Sequence, residues 1–194
     1  MKKTEQVREQ IVETADKRFR DYGYTKTTMA EIANDLKMSA ANLYRFYRSK
    51  HEIAAACAER CLGERGECLN EVVIRDDLSA SDKLLEFVLA DIRYTHEQDN
   101  QPKINELIEI VTREHKELVL SKLNSQCALI AEILGQGNMS GEFYVADIEK
   151  SARAILSSLT LFELPIFVSL YSEQQLRVLA VDLVELLLAG LRKR

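Results

Sequence analysis

Hydrophobic residues recur at intervals of three and four along most of the chain, with polar residues between them. This is the spacing of one face of an α-helix, whereas a strand would alternate with a period of two. The first segment, about residues 4–21, shows the pattern at Val7, Ile11, Ala15 and Phe19. Two prolines and seven glycines are too few to interrupt such helices often. The sequence therefore predicts an all-α fold of about nine helices.

A short helix is predicted after Thr28. Its apolar residues share one helical face, and they are Met29, Ile32, Ala33 and Leu36. Thr28 and Glu31 have the spacing of a capping box, in which each side chain accepts a hydrogen bond from the other residue's backbone amide. Lys37 and Met38 then form a turn.

A second short helix follows this turn, with Ser39 placed to cap it. Leu43 and Tyr47 are four residues apart, so we expect both to face inward. The outward face then carries Ala40, Ala41, Tyr44 and Arg45. Together with the first helix, the two short helices predict a three-helix domain that contains a helix-turn-helix.

The outward face of the second helix has the chemistry of a helix that enters the major groove of DNA. Small side chains at Ala40 and Ala41 let the backbone approach the bases, and their methyl groups can contact thymine methyls. Arg45 can donate to guanine or to phosphate, and Tyr44 can donate to phosphate. The pattern alone also fits a helical hairpin with a solvated, charged face.

Candidates for phosphate contacts flank these helices on both sides. Thr27 and Thr28 lie where the first short helix presents free backbone amides. Arg48 and Lys50 follow the second short helix. The predicted DNA-binding residues are therefore Thr27, Thr28, Ser39, Ala40, Ala41, Tyr44, Arg45, Arg48 and Lys50.

The segments G-Y-T-K-T-T, M-A-E-I-A and L-Y-R-F-Y-R-S-K follow an amphipathic first helix. In this order, residues 5–51 resemble the DNA-binding domain of the tetracycline-repressor (TetR) family of bacterial transcription regulators. The resemblance implies a dimeric regulator that releases its operator when a small molecule binds its C-terminal domain. By position it assigns DNA contacts to Thr28, Ala40, Ala41, Tyr44, Arg45 and Lys50. Phe46 departs from the family, which often has His or Tyr there, so this side chain cannot donate to a phosphate.

Charge is distributed unevenly between the two parts of the chain. Residues 1–51 contain 11 Lys and Arg against 7 Asp and Glu, a net charge of +4, whereas the whole chain carries −5. A basic head on an acidic body is expected when only the head contacts DNA. The excess is modest, so we expect few phosphate contacts per subunit.

Two domains are predicted: a helix-turn-helix DNA-binding domain at 1–50, and a larger helical domain for effector binding and dimerisation at 51–194. A fourth helix connects them, from a capping box at 49–52 to about residue 73. Pro102 is expected to open a later helix, and the glycine-rich segment 135–141 is interpreted as a linker. That segment lacks both the G-K-[ST] of a P-loop and the G-x-G-x-x-G spacing of a dinucleotide site.

Two long helices are predicted at the end of the chain, at about 145–170 and 173–192. The last is apolar on more than one side, and such a helix needs two packing partners. One partner is its own domain, and we expect the other to be the same pair of helices in a second subunit. A homodimer would place two recognition helices about 34–36 Å apart, on successive major grooves of a double-stranded DNA operator.

Cysteines allow an alternative function. Cys57, Cys61 and Cys68 share one face of the fourth helix, and the first two are spaced to bind a soft metal or to oxidise. A thiol- or metal-sensing regulator that uses Cys57 and Cys61 is thus one hypothesis. Equally, a cysteine packs as a small hydrophobic residue. A further alternative is a helical protein that binds small molecules without binding DNA.

The sequence contains no catalytic or cofactor-binding motif that we identify, so we expect neither an enzyme nor a cofactor or metal site. Tyr94, His96, Phe162 and Glu163 are candidates for the wall of an effector pocket, although ordinary core packing explains each of them too. The effector and its binding residues therefore stay unknown. No secretory signal opens the chain, and Glu163 lies within the apolar segment 154–171, which favours a cytoplasmic protein outside the membrane.

Overall fold

The computed structural model describes residues 2–99 and 103–192, which form eleven helices and no strand. The predicted all-α fold is confirmed. Pro102, which was expected to open a helix, lies outside the described residues. The helices are α1 (Lys2–Tyr22), α2 (Met29–Asp35), α3 (Ala40–Tyr44), α4 (Lys50–Val73), α5 (Ala80–Asp99), α6 (Ile104–Glu114), α7 (Lys116–Ser140), α8 (Ile148–Ser158), α9 (Thr160–Glu163), α10 (Pro165–Val168) and α11 (Glu173–Leu191).

The described residues divide into two compact units. The head unit comprises those within 1–63 and 101–119, and the body unit those within 64–100 and 120–194. The head unit therefore contains α1, α2, α3, the first half of α4, and also α6. Leu107 and Val111 of α6 are buried in the same core as Phe19, Ile32 and Leu43.

Local sequence determines where α2 and α3 begin. The Thr28 side chain accepts from the Glu31 amide, and the Glu31 carboxylate accepts from the Thr28 amide, so the predicted capping box is confirmed. The Ser39 hydroxyl accepts from the Asn42 amide and caps α3 as expected. Lys37 turns the chain between the two helices with a φ of 52°.

The body unit is organised around α5. This helix packs against α9, α10 and α11, and its inner side chains Leu84, Phe87 and Ile92 are fully buried. The same core contains Ile130 and Ile133 of α7. A long, continuous apolar core explains why several helices here show apolar residues on more than one side.

The glycine-rich segment 135–141 is helical rather than a linker, so that prediction is wrong. Helix α7 continues to Ser140, and the chain turns only at Gly141, where φ is +76°. Gly137 is needed for packing, because a Cβ atom there would lie 2.1 Å from Cδ2 of Phe143. The glycine makes room for the Phe143 ring against the helix backbone.

The segment expected to form one helix at 145–170 consists of three shorter helices, α8, α9 and α10. The break before α10 has a local cause. Leu164 has an extended backbone (φ −99°, ψ 120°), the conformation that the ring of a following proline favours. Pro165 then begins α10.

Helix α7 alone among the described helices is long and apolar enough to cross a membrane. This is weak evidence, because helices of a protein core meet the same criteria of length and composition. In the body unit its residues Ile130, Ile133 and Leu134 are fully buried in the apolar core.

Candidate nucleic-acid interface

Helix α3 has one buried and one exposed face. Leu43 is fully buried and Tyr47, just beyond the helix, is 4% exposed. On the other side Ala41 and Arg45 are exposed, and the Tyr44 side chain is 51% exposed. Ala40, which was expected on the same outward face, is instead half-buried and packs against the core of the head unit. Ala41, Tyr44 and Arg45 are therefore the predicted DNA contacts of α3 that are exposed together on the surface.

The end of α3 is anchored to α1 by Arg8, a residue that the sequence did not single out. The Arg8 guanidinium donates to the backbone carbonyl of Phe46 at 2.8 Å and stacks on the Tyr47 ring at 4.4 Å. Phe46 itself is half-buried against the core of the head unit. The residue that departs from the family pattern thus has a packing role here.

Thr27 has an internal role that conflicts with a phosphate contact by its side chain. It is 1% exposed, and its hydroxyl donates to the Gly23 carbonyl at 2.9 Å. Its backbone amide donates to the Tyr24 carbonyl at 3.2 Å, so that group is also occupied. Thr28 and Ser39, by contrast, are exposed at the first turns of α2 and α3.

Lys50 connects the start of α4 to the turn before α2. Its ammonium group donates to the carbonyls of Tyr24 and Thr27, both at 2.7 Å, and lies 4.2 Å from the centre of the Tyr24 ring. Burial lowers the pKa of Lys50, while the carboxylates of Glu31 and Glu106 oppose that shift. Two of its three ammonium protons are therefore used inside the head unit.

Helix α6 contacts the same turn from another side. The Glu106 carboxylate accepts a hydrogen bond from the Thr25 amide at 3.2 Å. Gly23 adopts a φ of +91°, and a Cβ atom there would lie 2.9 Å from the Glu106 carboxylate. The segment Gly23–Thr27, which we call the α1–α2 turn, is thus held by both α4 and α6.

Ion pairs orient the helices around the interface. Arg18 of α1 bonds Asp35 at 2.6 Å and Glu31 at 3.1 Å, which positions α2. Asp16, also on α1, accepts from Arg60 of α4 at 3.2 Å. Arg45 and Arg48, in contrast, are exposed beside α3.

Sequence comparison agrees with this architecture in both parts of the chain. A family model described as "Bacterial regulatory proteins, tetR family" matches residues 11–57. A second, described as "Tetracyclin repressor-like, C-terminal domain", matches residues 80–184, more than half of the chain. The chain belongs to the TetR family. It is a ligand-responsive, DNA-binding transcriptional regulator, as the resemblance of residues 5–51 implied.

Solved structures of TetR-like regulators share this fold over almost the whole chain. A putative TetR-family regulator from Mesorhizobium loti is 18% identical, with a TM-score of 0.79 and 98% of each chain covered. A transcriptional regulator from Cytophaga hutchinsonii is 19% identical, with a TM-score of 0.77, covering 95% of this chain and 98% of that one. The ketosteroid transcriptional regulator KstR2 of Mycobacterium tuberculosis is 18% identical, with a TM-score of 0.61, covering 96% and 95%. No curated protein sequence matches this chain.

The structure of this TetR-family regulator does not favour thiol sensing. Cys57 is 1% exposed, and its thiol is 3.5 Å from the Val12 carbonyl, to which it donates. Burial raises the pKa of Cys57 far above its ordinary value, so the reactive thiolate is disfavoured. Cys61 and Cys68 are partly exposed. Within the described residues, no group of three or more His, Cys, Asp or Glu side chains is arranged to hold a metal ion.

The four residues proposed for a pocket wall have different environments in this TetR-family chain. Phe162 is 2% exposed and belongs to the core of the body unit. Tyr94 and His96 on α5 are partly exposed. Glu163 lies 4.0 Å from the guanidinium of Arg65, a buried residue that the sequence did not indicate.

Proposed function

We propose that this regulator is a dimeric repressor, which leaves a palindromic operator when a small-molecule effector binds. In this proposal residues 1–50 bind DNA, and residues 51–194 bind the effector and form the dimer. The observation that carries the proposal is the outer face of α3, where Ala41, Tyr44 and Arg45 are exposed on a helix whose inner face is buried. TetR-family regulators bind operators and small effectors, and are typically dimers.

The exposed residues of α3 would read the operator. Arg45 donates to a guanine edge or a phosphate, and Tyr44 and Arg48 donate to phosphates. Ala40 and Ala41 let the helix backbone approach the bases. The head has only a modest excess of positive charge, so phosphate contacts supply limited affinity, and the base contacts of α3 supply the preference for one sequence.

The residues at the edge of this DNA-reading surface also stabilise the structure of the head unit. Thr28 and Ser39 are exposed at helix starts. The Ser39 hydroxyl can donate to a phosphate while Ser39 caps α3, whereas the Thr28 hydroxyl donates to the Glu31 carboxylate at 2.8 Å and would have to exchange that bond for a phosphate. Lys50 retains one ammonium proton for a phosphate, beyond the two that bind backbone carbonyls. Thr27 is left out because its side chain is buried.

The dimer would form through the end of the chain, at about 145–170 and 173–192. Val178, Leu179 and Leu186 are exposed on α11, although the opposite face of this helix is buried. Ile166 and Leu170 are also exposed, with 57% and 70% of their surfaces accessible. Several exposed apolar side chains on neighbouring helices indicate a site for a protein partner, here a second copy of the chain.

Release would follow from a shift between two conformations of the dimer. One conformation fits the operator and the other does not. The effector must bind the second conformation more tightly than the first. The relative from Mycobacterium tuberculosis is described as a ketosteroid transcriptional regulator, which supports a small organic effector here. TetR regulators are generally non-enzymatic, and we propose that this one also acts without catalysis, in the cytoplasm.

The DNA-reading surface can be tested on a duplex enriched from a randomised pool. We expect Arg45→Ala to weaken binding by about 1–3 kcal/mol and to relax the preference at one base pair, if Arg45 makes a bidentate base contact. Tyr44→Phe, which removes only a hydroxyl, should weaken binding to all sequences alike. Arg75→Ala is the control, because Arg75 is exposed after α4 and its loss changes the net charge equally. Equal effects of the Arg45 and Arg75 substitutions would contradict the assignment.

A further inference from the structure

Five polar side chains belong to one region of the body unit: four are close to one another, and the fifth, Thr95, follows Asp91 by one helical turn. They are Arg65 from α4, Asp91 and Thr95 from α5, Gln126 from α7 and Glu163 from α9, and we call them the polar cluster. Asp91, Gln126 and Thr95 are only 1%, 2% and 3% exposed, and Arg65 is 7% exposed. Burial of polar groups costs free energy unless each finds a hydrogen-bond partner.

Two members of the cluster satisfy each other. The Arg65 guanidinium donates to both carboxylate oxygens of Asp91, at 2.5 Å each. This is the fork-to-fork geometry in which arginine and a carboxylate bind most strongly. The nearest carboxylate oxygen of Glu163 lies 4.0 Å from the same guanidinium, too far for a hydrogen bond.

The other members have atoms without partners. Both amide atoms of Gln126, the Thr95 hydroxyl and one carboxylate oxygen of Glu163 are buried and form no hydrogen bond. The Gln126 amide lies close to the Glu163 carboxyl without reaching hydrogen-bond geometry. Thr95 lies one helical turn after Asp91, so both face the same side of α5. Native proteins leave few buried polar groups unpaired, and each one requires an explanation.

The charges of the cluster are balanced. Burial raises the pKa of Glu163, and repulsion from Asp91 adds to this, while Arg65, Lys122 and the nearby Gln126 amide oppose it. The shift is toward the protonated, neutral carboxyl, and Arg65 and Asp91 neutralise each other. A ligand with its own charge would upset this balance.

The cluster is set in an apolar environment. Ile92 on α5 and Ile130 on α7 are fully buried, and Phe162 precedes Glu163 on α9 at 2% exposure. All three belong to the core of the body unit. A ligand that reaches the cluster therefore meets hydrocarbon around a few polar groups, which is the usual composition of a small-molecule site.

We propose that the polar cluster recognises the effector, and that the effector is an uncharged, largely apolar molecule carrying a carboxamide-like group. The Gln126 amide offers a donor and an acceptor side by side, and a second amide complements it with two antiparallel hydrogen bonds. The Thr95 hydroxyl and the Glu163 carboxyl are then available for the remaining lone pairs and protons of the ligand. This inference rests on the proposed function, because it names the chemical class of the effector for the domain at 51–194.

The free protein gives the first test, through Gln126→Met. Methionine has a similar length and no group that must be hydrogen-bonded, so we expect the melting temperature to rise by about 2–4 °C. The matched control is Gln136→Met on the same helix. Gln136 accepts from the Lys83 ammonium at 2.6 Å and donates to the Val73 carbonyl, so this substitution should lower the melting temperature. A fall for both variants would show that the Gln126 amide is bonded within the fold, which overturns the proposal.

Four probes that share a phenyl ring give the second test: benzamide, benzoate, benzylammonium and toluene, each at millimolar concentration. We expect benzamide to raise the melting temperature of the wild-type protein more than the other three do, because a ligand that binds only the folded state stabilises it. In Gln126→Met the advantage of benzamide over toluene should disappear. A larger shift with either charged probe, equal shifts with benzamide and toluene, or no shift with benzamide would each overturn the proposal.

Binding of the wild-type protein to an enriched duplex distinguishes a wrong effector class from a wrong proposed function. If the protein binds the duplex and benzamide gives no shift, the effector class is wrong and the DNA-binding account stands. If it binds no duplex, the proposed function fails, whatever the probes show.

Discussion

Two glycines in α7, only two residues apart, differ in whether the structure has room for a side chain at their position. A Cβ atom at Gly135 would meet nothing within 4 Å, whereas one at Gly137 would overlap the Phe143 ring. At Gly135 the absence of a side chain only increases the conformational entropy that the chain loses when it folds. At Gly137 it is what lets Phe143, 3% exposed, reach the core.

Alanine at these two positions should therefore change stability in opposite directions. We expect Gly135→Ala to raise the free energy of unfolding by about 0.5–1 kcal/mol, since alanine favours a helix over glycine. Gly137→Ala should lower it by about 1–3 kcal/mol through overpacking. Urea denaturation of both variants measures the difference, and a stabilising Gly137→Ala would show that Phe143 does not pack as described.

Glu163 should make stability depend on pH. Its pKa is raised in the folded state, so the folded protein binds this proton more tightly than the unfolded chain. The free energy of unfolding must then decrease as pH rises from the ordinary pKa of 4.5 through the raised value.

Glu163→Gln should remove this decrease in the free energy of unfolding, because the glutamine side chain is neutral at every pH. We expect the variant to be more stable than wild type at pH 8, with a difference that narrows toward pH 4. Denaturation at several pH values measures it, and Glu71→Gln on the exposed side of α4 controls for the lost charge. Parallel stability curves for wild type and Glu163→Gln would contradict the environment described for this carboxyl.

At the scale of elements, the α1–α2 turn depends on two helices that follow it in the chain. Lys50 at the start of α4 binds the Tyr24 and Thr27 carbonyls, and Glu106 on α6 binds the Thr25 amide. The turn leads directly into α2, whose position relative to α3 defines the helix-turn-helix. A residue expected to contact only DNA therefore also maintains the shape of the DNA-binding surface.

Lys50→Met should consequently reduce stability as well as DNA binding. Without the ammonium, two carbonyls lose their donor, and we expect the free energy of unfolding to fall by about 1–3 kcal/mol. Arg48→Met is the matched control, because Arg48 is an exposed basic residue two positions earlier. Urea denaturation separates the roles: if both variants unfold like wild type, Lys50 serves DNA alone.

Short-range features of the elements could be predicted from sequence, and long-range ones could not. The caps at Thr28 and Ser39 depend on residues only three positions away, so a pattern reveals them. The contact of Lys50 with Tyr24 spans 26 positions, and that of Glu106 with Thr25 spans 81. No local pattern carries such information, which is why Lys50 was expected at the DNA surface alone.

The same limit explains the other differences. The three glycines of 135–141 are typical of a linker, and only the approach of Phe143 reveals why helix α7 has glycine at position 137. Glu163 was a candidate for the wall of an effector pocket. Its neighbours in the fold could not be predicted, because Arg65 and Gln126 come from helices far apart in the chain. The sequence therefore identified the DNA-binding head more completely than the effector site.

At the scale of the whole molecule, the proposed function requires two copies of the chain. One head unit contacts a half-site, and a palindrome is read only if a second head is held at the spacing of the next major groove. The exposed apolar residues of α10 and α11 are the surface we assign to that pairing.

A charge on this surface should separate the dimer. Leu186 is 72% exposed on α11, so Leu186→Glu should leave each subunit folded while it places an unpaired carboxylate in the interface. We expect a monomer by light scattering and a large loss of operator affinity. Met139→Glu, at a residue that is 83% exposed near the end of α7, is the control that should remain dimeric. A dimer in both variants would place the interface elsewhere.

The central claim, a dimer that reads DNA through α3, is tested most directly by selecting duplexes from a randomised pool at near-physiological salt. The account predicts an enriched inverted repeat, with half-site centres separated by about 10 base pairs or a multiple of one helical turn. Enrichment of a single, unrepeated site would contradict the dimeric part of the claim. No enrichment, with binding that disappears as salt increases, would contradict sequence reading altogether.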